Sequence, residues 1–179
     1  FASFNVSLFR DTEGQLQRDL EADDDQARVV AEIIQRTAPD VILLNEFDYD
    51  SEGRALDLFA ESYVGAPLAE GVDPIDYAYR WIFASNTGVP SGFDLDNADG
   101  RDNAVGSVEY GNDALGFGRF EGQYAFAVLS RYPQAELPVR EFRSFLWRDL
   151  PDAALPDELG TAAPDDWFTT DELEVVRLS

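Results

Sequence analysis

Asp40-Val-Ile-Leu-Leu-Asn-Glu46 is a continuous apolar run that stops abruptly at an amide and a carboxylate. A carboxylate at the end of a buried strand is a candidate ligand for a hard divalent cation, and also a candidate general acid or base. The residues alone leave Glu46 open between those roles and that of the first solvated residue after a strand. A second oxygen-rich stretch, Asp94-Leu-Asp-Asn-Ala-Asp-Gly100, sets the carboxylates of Asp94, Asp96 and Asp99 close together before a glycine, in the manner of a calcium loop. Its spacing departs from the EF-hand pattern: Ala98 stands at a ligand position, Gly100 comes one residue late, and no bidentate glutamate follows at the expected distance. An Asx-rich turn explains the same residues.

The chain excludes several chemistries outright. It has no histidine and no cysteine, so serine–histidine triads, thiolate nucleophiles, thiolate metal sites and disulfides are all absent. Carboxylates, amides, hydroxyls and arginine remain. Its 36 acidic residues against 13 basic ones, every one of them arginine, give a net charge of −23. Such a field repels polyanions, so binding to bulk duplex DNA is disfavoured without a basic patch or bridging cations.

The elements that must position these groups follow from periodicity. The Asp40–Glu46 block, introduced by Pro39, reads as a strand buried on both faces, and in open α/β sheets ligands gather at the carboxyl ends of such strands. Phe1 to Leu8 alternates, with Ala2, Phe4, Val6 and Leu8 on one face and Ser3, Asn5 and Ser7 on the other, so its polar face can line a site. Asp11 to Asp25 reads as an acidic loop whose Asp23-Asp24-Asp25 cluster meets the positive end of a following helix. That helix runs through Thr37, with Ala27, Val30, Ile33, Ile34 and Thr37 at helical spacing. A second helix is expected from Ser51 to about Tyr63.

Strands are expected at Tyr77–Ala84 and Tyr124–Leu129, separated by a long Gly/Asn/Asp-rich segment from Ser85 to Gln123. The alternating aromatics Tyr77, Tyr79, Trp81 and Phe83 read as sheet packing rather than a base-stacking platform. Gly116-Phe-Gly-Arg-Phe-Glu-Gly122 supplies turns before the second of these strands. Thr169-Thr170-Asp171-Glu172 fits a capping box, and Glu174–Ser179 reads as the start of another strand. No apolar run approaches the ~20 residues that span a bilayer. The sequence contains no methionine, which predicts a processed, cleaved or partial product. A removed leader fits an extracellular or periplasmic location.

Three blocks in order, Phe4-Asn5-Val6, Pro39 to Glu46 and Gly122-Gln-Tyr-Ala-Phe-Ala-Val-Leu-Ser-Arg131-Tyr-Pro133, resemble the endonuclease/exonuclease/phosphatase superfamily of deoxyribonuclease-like metal phosphoesterases. The resemblance implies that Glu46 is the direct ligand of a divalent cation, Mg²⁺ first and Mn²⁺ or Ca²⁺ as alternatives, with Asn5 beside it. It also implies that Arg131, following a core strand, sends its planar donors toward a substrate phosphate. The implied fold is a four-layer α/β sandwich, two packed mixed sheets flanked by helices. This chain would supply the amino-terminal half of it, as one domain with an Asp/Asn/Gly-rich loop at about 85–123. Members of the superfamily use later His and Asp motifs that are missing here, so a downstream carboxyl-terminal segment is expected as partner.

The function expected on these grounds is hydrolysis of a phosphomonoester or phosphodiester. A small phosphorylated metabolite, a phytate-like compound or a lipid head group is favoured over duplex DNA, and activity would require the downstream segment. The competing expectation is a non-catalytic acidic calcium-binding or interaction module using Asp94, Asp96 and Asp99.

Overall fold

The computed structural model describes residues 1–98, 100–101, 103–135, 139–155 and 168–177. The chain divides into two compact units, Phe1–Ala84 with Gly122–Pro138, and Ser85–Glu121 with Val139–Ser179.

The first unit is built on a mixed four-stranded sheet. Strands β1 (Ala2–Leu8), β2 (Val41–Phe47), β3 (Tyr79–Phe83) and β4 (Phe126–Ser130) lie in the order β1-β2-β4-β3. β1 and β2 are parallel, whereas β4 is antiparallel to both of its neighbours. One face, carrying Val6, Leu8, Ile42, Leu44, Ala127 and Leu129, is buried in the core. The opposite face is open: polar at Ser3, Asn5 and Asn45 on β1 and β2, and apolar at β3 and β4, with Tyr79 at 38% and Phe126 at 39% exposure. Tyr79 and Trp81 stack on it at 6.2 Å, as do Phe83 and Phe126 at 5.5 Å, which is the sheet packing expected of these aromatics. The described residues contain this one sheet, with α/β character.

Helices cover the core face. α1 (Gln15–Glu21) falls inside the stretch read above as an acidic loop. Leu16 and Leu20, four residues apart, are its whole apolar stripe, and both are buried. Surrounding acidic residues hide so short a stripe from a periodicity search. α2 (Asp25–Thr37) begins as expected: the Asp24 carboxylate accepts a 2.7 Å hydrogen bond from the Ala27 N–H, a cap worth about 1 kcal/mol. The helix turns its Ala27–Val30–Ala31–Ile34–Gln35 face inward, leaving Ile33 at 42% exposure rather than in the core.

The second expected helix is α3 (Arg54–Leu58), which loosens into a π-helical turn at Phe59–Val64. That turn buries Phe59, Ala60, Tyr63 and Val64 together. The Tyr63 hydroxyl donates to the Leu20 carbonyl at 2.7 Å and accepts from the Asp24 N–H at 2.8 Å, joining the end of α1 to the start of α2. Tyr77 lies before β3 and is fully buried, its hydroxyl donating to the Pro39 carbonyl at 2.7 Å.

The second unit contains the short helix α4 (Val108–Asn112), capped by the Ser107 hydroxyl. Gly88, at φ +69°, sits so close to the Phe120 carbonyl that a Cβ there would overlap it, so only glycine fits. Near the carboxyl end, Glu172 accepts from the Thr169 N–H at 2.5 Å while the Thr169 hydroxyl accepts from the Glu172 N–H at 3.3 Å. This is the reciprocal capping box read from the sequence, opening a single 3₁₀ turn at Glu172–Glu174. Beyond it, Arg177 forms one isolated bridge with Leu146. Residues 178–179 of the strand expected there lie outside the described residues.

Candidate functional site

Asn5 and Asn45 are paired across β1 and β2, and three residues of β1 then span the distance of two in β2 before Leu8 meets Phe47. This bulge coincides with left-handed backbone at two non-glycine residues, Ser7 (φ 49°) and Glu46 (φ 57°). Regular alternation would put Glu46 on the same face as Ile42 and Leu44, toward the core. The left-handed step instead frees its carboxylate, while Leu8 and Phe47 on either side stay fully buried. Each such residue carries about 1–3 kcal/mol of strain, and strain of this kind collects at functional sites.

The polar groups converge on this edge. The Asn5 Oδ1 accepts from the Ser7 N–H at 3.1 Å and from the Ser7 hydroxyl at 3.2 Å. The same hydroxyl lies 3.5 Å from a Glu46 carboxylate oxygen. Asn5 and Ser7 are exposed, and Glu46 is half-buried. The result is a cluster of hard oxygen donors open to solvent. Such a set fits Mg²⁺ or Mn²⁺, which hold on to several waters and need few protein ligands. Ser7 was not singled out from the sequence. Its place two residues after Asn5, on the same polar face, was the available signal.

Behind the edge sits a buried carboxylate. Asp48 is 5% exposed; one of its oxygens accepts from the Arg10 N–H at 2.7 Å and the other from the Tyr124 N–H at 3.3 Å. Burial pushes its pKa up to about 7, against the two N–H groups and the Arg10 charge that favour the carboxylate. The Arg10 guanidinium turns away to Asp19 at 2.5 Å and to Asp24 at 2.8 Å. Burial opposes ionisation of Asp19, but hydrogen bonds from Arg10 and Gln15 outweigh it and hold that carboxyl below its usual range.

Arg131 is placed elsewhere. β4 runs antiparallel to β2, so Ser130 pairs with Val41, and the Arg131 N–H donates to the Asp40 carbonyl at 3.0 Å. The arginine therefore lies at the amino end of β2, opposite Asp40 and roughly 20 Å along the strand from Glu46. It lines a pocket of about 400 Å³ with Gln35, Arg36, Asp73 and Ile75. The expectation that Arg131 shares a phosphate with Glu46 is not met by this geometry. The beginning of the same block comes to the Glu46 edge instead: the Phe47 N–H donates to Ala125, the Tyr49 N–H donates to Gly122, and the Gln123 amide donates to the Arg10 carbonyl. Tyr124 there is a third non-glycine residue in left-handed backbone, at φ 59°.

In the second unit Asp94 and Asp96 do come together, joined by the buried Asp113, with carboxylate oxygens all within 4.8 Å of one another. Asp99 lies outside the described residues. Asp113, 17 residues beyond Asp96, was missed because only folding brings it to the loop. The cluster is internally satisfied: Asp113 accepts from the Leu95 N–H and the Asn103 amide, and Asp94 from the N–H groups of Ala98 and Gly100.

Among the described residues no helix is long and apolar enough to cross a membrane. No curated protein and no solved structure matches the chain significantly. The sequence profile of the Endonuclease/Exonuclease/phosphatase family, however, matches residues 2–170. That span takes in β1 with Asn5, β2 with Glu46 and the whole Gly122–Pro133 block. The chain belongs to the endonuclease/exonuclease/phosphatase family, whose members are hydrolases that generally cleave phosphate esters with the help of a divalent metal.

Proposed function

We propose that this chain contributes the metal-holding edge of a phosphoesterase acting on a phosphomonoester or phosphodiester, with Glu46 as the direct ligand and Asn5 as its neighbour. The observation that carries this reading is the convergence of the Asn5, Ser7 and Glu46 oxygens where β1 and β2 adopt strained, left-handed backbone. A divalent cation held there supplies polarisation of a phosphoryl oxygen and neutralisation of its charge, Mg²⁺ being the first choice. The chain's own groups do the rest of the local work. Glu46 provides the negative charge, the Asn5 N–H₂, which donates to no described residue, can orient a phosphate or a ligated water, and Ser7 fixes the Asn5 rotamer through two hydrogen bonds.

The charge of −23 favours a small phosphorylated substrate, such as a metabolite, a phytate-like compound or a lipid head group, over duplex DNA. In this reading the attacking water is activated by the downstream segment expected as partner. The open apolar face bearing Tyr79 and Phe126 supports a second sheet packing there, which would complete a sandwich of two sheets.

The test is hydrolysis of a panel of phosphate esters with Mg²⁺ or Mn²⁺, using the chain together with a downstream segment supplied in cis or in trans. Glu46→Gln is expected to lower turnover at least a hundredfold while leaving the fold intact by circular dichroism. Unchanged turnover in that variant defeats the assignment. The Asp94–Asp96–Asp113 cluster favours a second reading, a Ca²⁺-binding module. Calorimetric titration with Ca²⁺ that responds to Asp96→Asn and ignores Glu46→Gln, with no hydrolysis in any combination, would select it.

A further inference from the structure

Three chain segments must end at one place for Glu46 to face outward beside Asn5: the end of β1, the end of β2 and the entry to β4. Each carries a non-glycine residue in left-handed backbone, Ser7, Glu46 and Tyr124. Left alone, these residues would relax toward regular strand geometry, which would turn the Glu46 side chain inward. Something has to hold the three ends.

We propose that Asp48 is the positioning residue that does so, a conclusion that rests on the metal-centre reading of Glu46. Its own N–H donates to the Leu8 carbonyl at 3.0 Å, fixing β2 to the end of β1. One carboxylate oxygen takes the Arg10 N–H at 2.7 Å, two residues past β1, and the other takes the Tyr124 N–H at 3.3 Å, two residues before β4. The bonds from Tyr49 to Gly122 and from Gln123 to Arg10 brace the same three segments from either side. Asp48 is 5% exposed, and the nearby Arg10 guanidinium is engaged by Asp19 and Asp24, so its two oxygens serve backbone N–H groups.

The residue type follows from this geometry. Two separate N–H groups need two acceptors on one short side chain, which aspartate provides; asparagine offers one acceptor and sets an N–H₂ against the second N–H. Glutamate keeps both acceptors but moves them by a methylene. Among the described residues Asp48 makes no hydrogen bond to Asn5, Ser7 or Glu46. It acts through the backbone on either side of Glu46, as groups that orient a ligand do at metal sites.

The test is Mn²⁺ titration of the full chain, followed by water-proton relaxation, for wild type, Glu46→Gln, Asp48→Asn and Asp48→Glu. The Glu46-dependent part of binding is read from the difference between wild type and Glu46→Gln, which also removes any contribution from the Asp94 cluster. Both Asp48 variants are expected to weaken that part about tenfold, within the range found when groups supporting a ligand are altered. Leu16→Ala, a buried core change in α1, is the control for general loss of stability and is expected to keep wild-type affinity while melting earlier. If Asp48→Asn does not fold, Asp48→Glu carries the measurement. Glu46-dependent binding that survives unchanged in a folded Asp48 variant, or that falls equally in Leu16→Ala, overturns the role of Asp48 alone. Equal Mn²⁺ binding by wild type and Glu46→Gln overturns the metal-centre reading and this inference with it.

Discussion

The two ends of the same four-stranded sheet are built very differently. At the Glu46 end, three non-glycine residues take left-handed backbone, β1 bulges against β2, and exposed side-chain oxygens gather. At the Arg131 end the ladder is regular, Val41 pairing with Ser130 and Ser130 with Tyr79, and the Asp40 carbonyl is met by the Arg131 N–H. The buried Tyr77 hydroxyl closes this end on Pro39. One end gathers exposed side-chain oxygens over three left-handed residues; the other has a regular ladder, with left-handed backbone only outside it, at Ala38 before β2. The same strands serve both because local backbone strain need not spread along a well-packed sheet.

The largest expected effect sits at the stable end. Burial raises the Tyr77 pKa to about 12, with Asp40 adding to the shift and Arg131 opposing it. An unfolded tyrosine ionises near pH 10, so between about pH 10 and pH 12 the unfolded chain binds fewer protons than the native one, and stability falls as pH rises through that window. The contribution is fully present below pH 10 and amounts to on the order of 2–3 kcal/mol lost by pH 12. Tyr77→Phe is expected to be about 1 kcal/mol less stable near neutrality, through loss of the bond to Pro39, yet to show a shallower alkaline decline. Urea melts of both proteins at pH 9 and pH 11.5 measure this. Parallel alkaline slopes would show that Tyr77 is not the group responsible.

A smaller effect separates the ends by their strain. Glu46→Gly removes a side chain from a left-handed position and is expected to leave the protein equally stable or up to about 1 kcal/mol more so, while abolishing Glu46-dependent Mn²⁺ binding. Ser130→Gly, in regular strand backbone at the other end, is expected to lose about 1 kcal/mol. Thermal melts that rank the two substitutions the other way would show that the Glu46 end stores no strain. The smallest effect is at Arg131. Arg131→Ala is expected to change Mn²⁺ affinity and turnover by less than about twofold, because the residue lies roughly 20 Å from Glu46 along β2. A large loss of turnover would place a substrate across the full length of the sheet.

Much of the scaffold was legible in the residues. β2 announced itself as an apolar run after Pro39, β1 by strict alternation, and α2 by its aspartate cap and apolar stripe. These signals are local, reflecting side-chain periodicity and helix-end hydrogen bonding that hold whatever the chain does elsewhere. α1 was not legible, since its two leucines make too short a stripe to stand out among charges. Ser7, Asp48 and Asp113 were not legible either. Ser7 and Asp48 matter through a bulge and through N–H groups from distant segments, and Asp113 meets Asp94 only after folding.

The Gly122–Pro133 block shows where the boundary lies. Its sequence identified a strand and the family, but not which of its ends meets the Glu46 edge, because that depends on whether β4 enters the sheet parallel or antiparallel to β2. Strand direction is set by the connections and by pairing with partners far away in the chain, and it leaves no mark on the period-2 pattern of the strand itself. The sequence by itself therefore determined the family, the oxygen-only chemistry forced by the absence of histidine and cysteine, and Asn5 and Glu46 as the groups to watch. The tertiary structure decided that Glu46 lies on left-handed backbone near the end of β2, that Asp48 and not Arg131 lies at that end of the sheet, and that the Tyr77 hydroxyl meets Pro39 at the other.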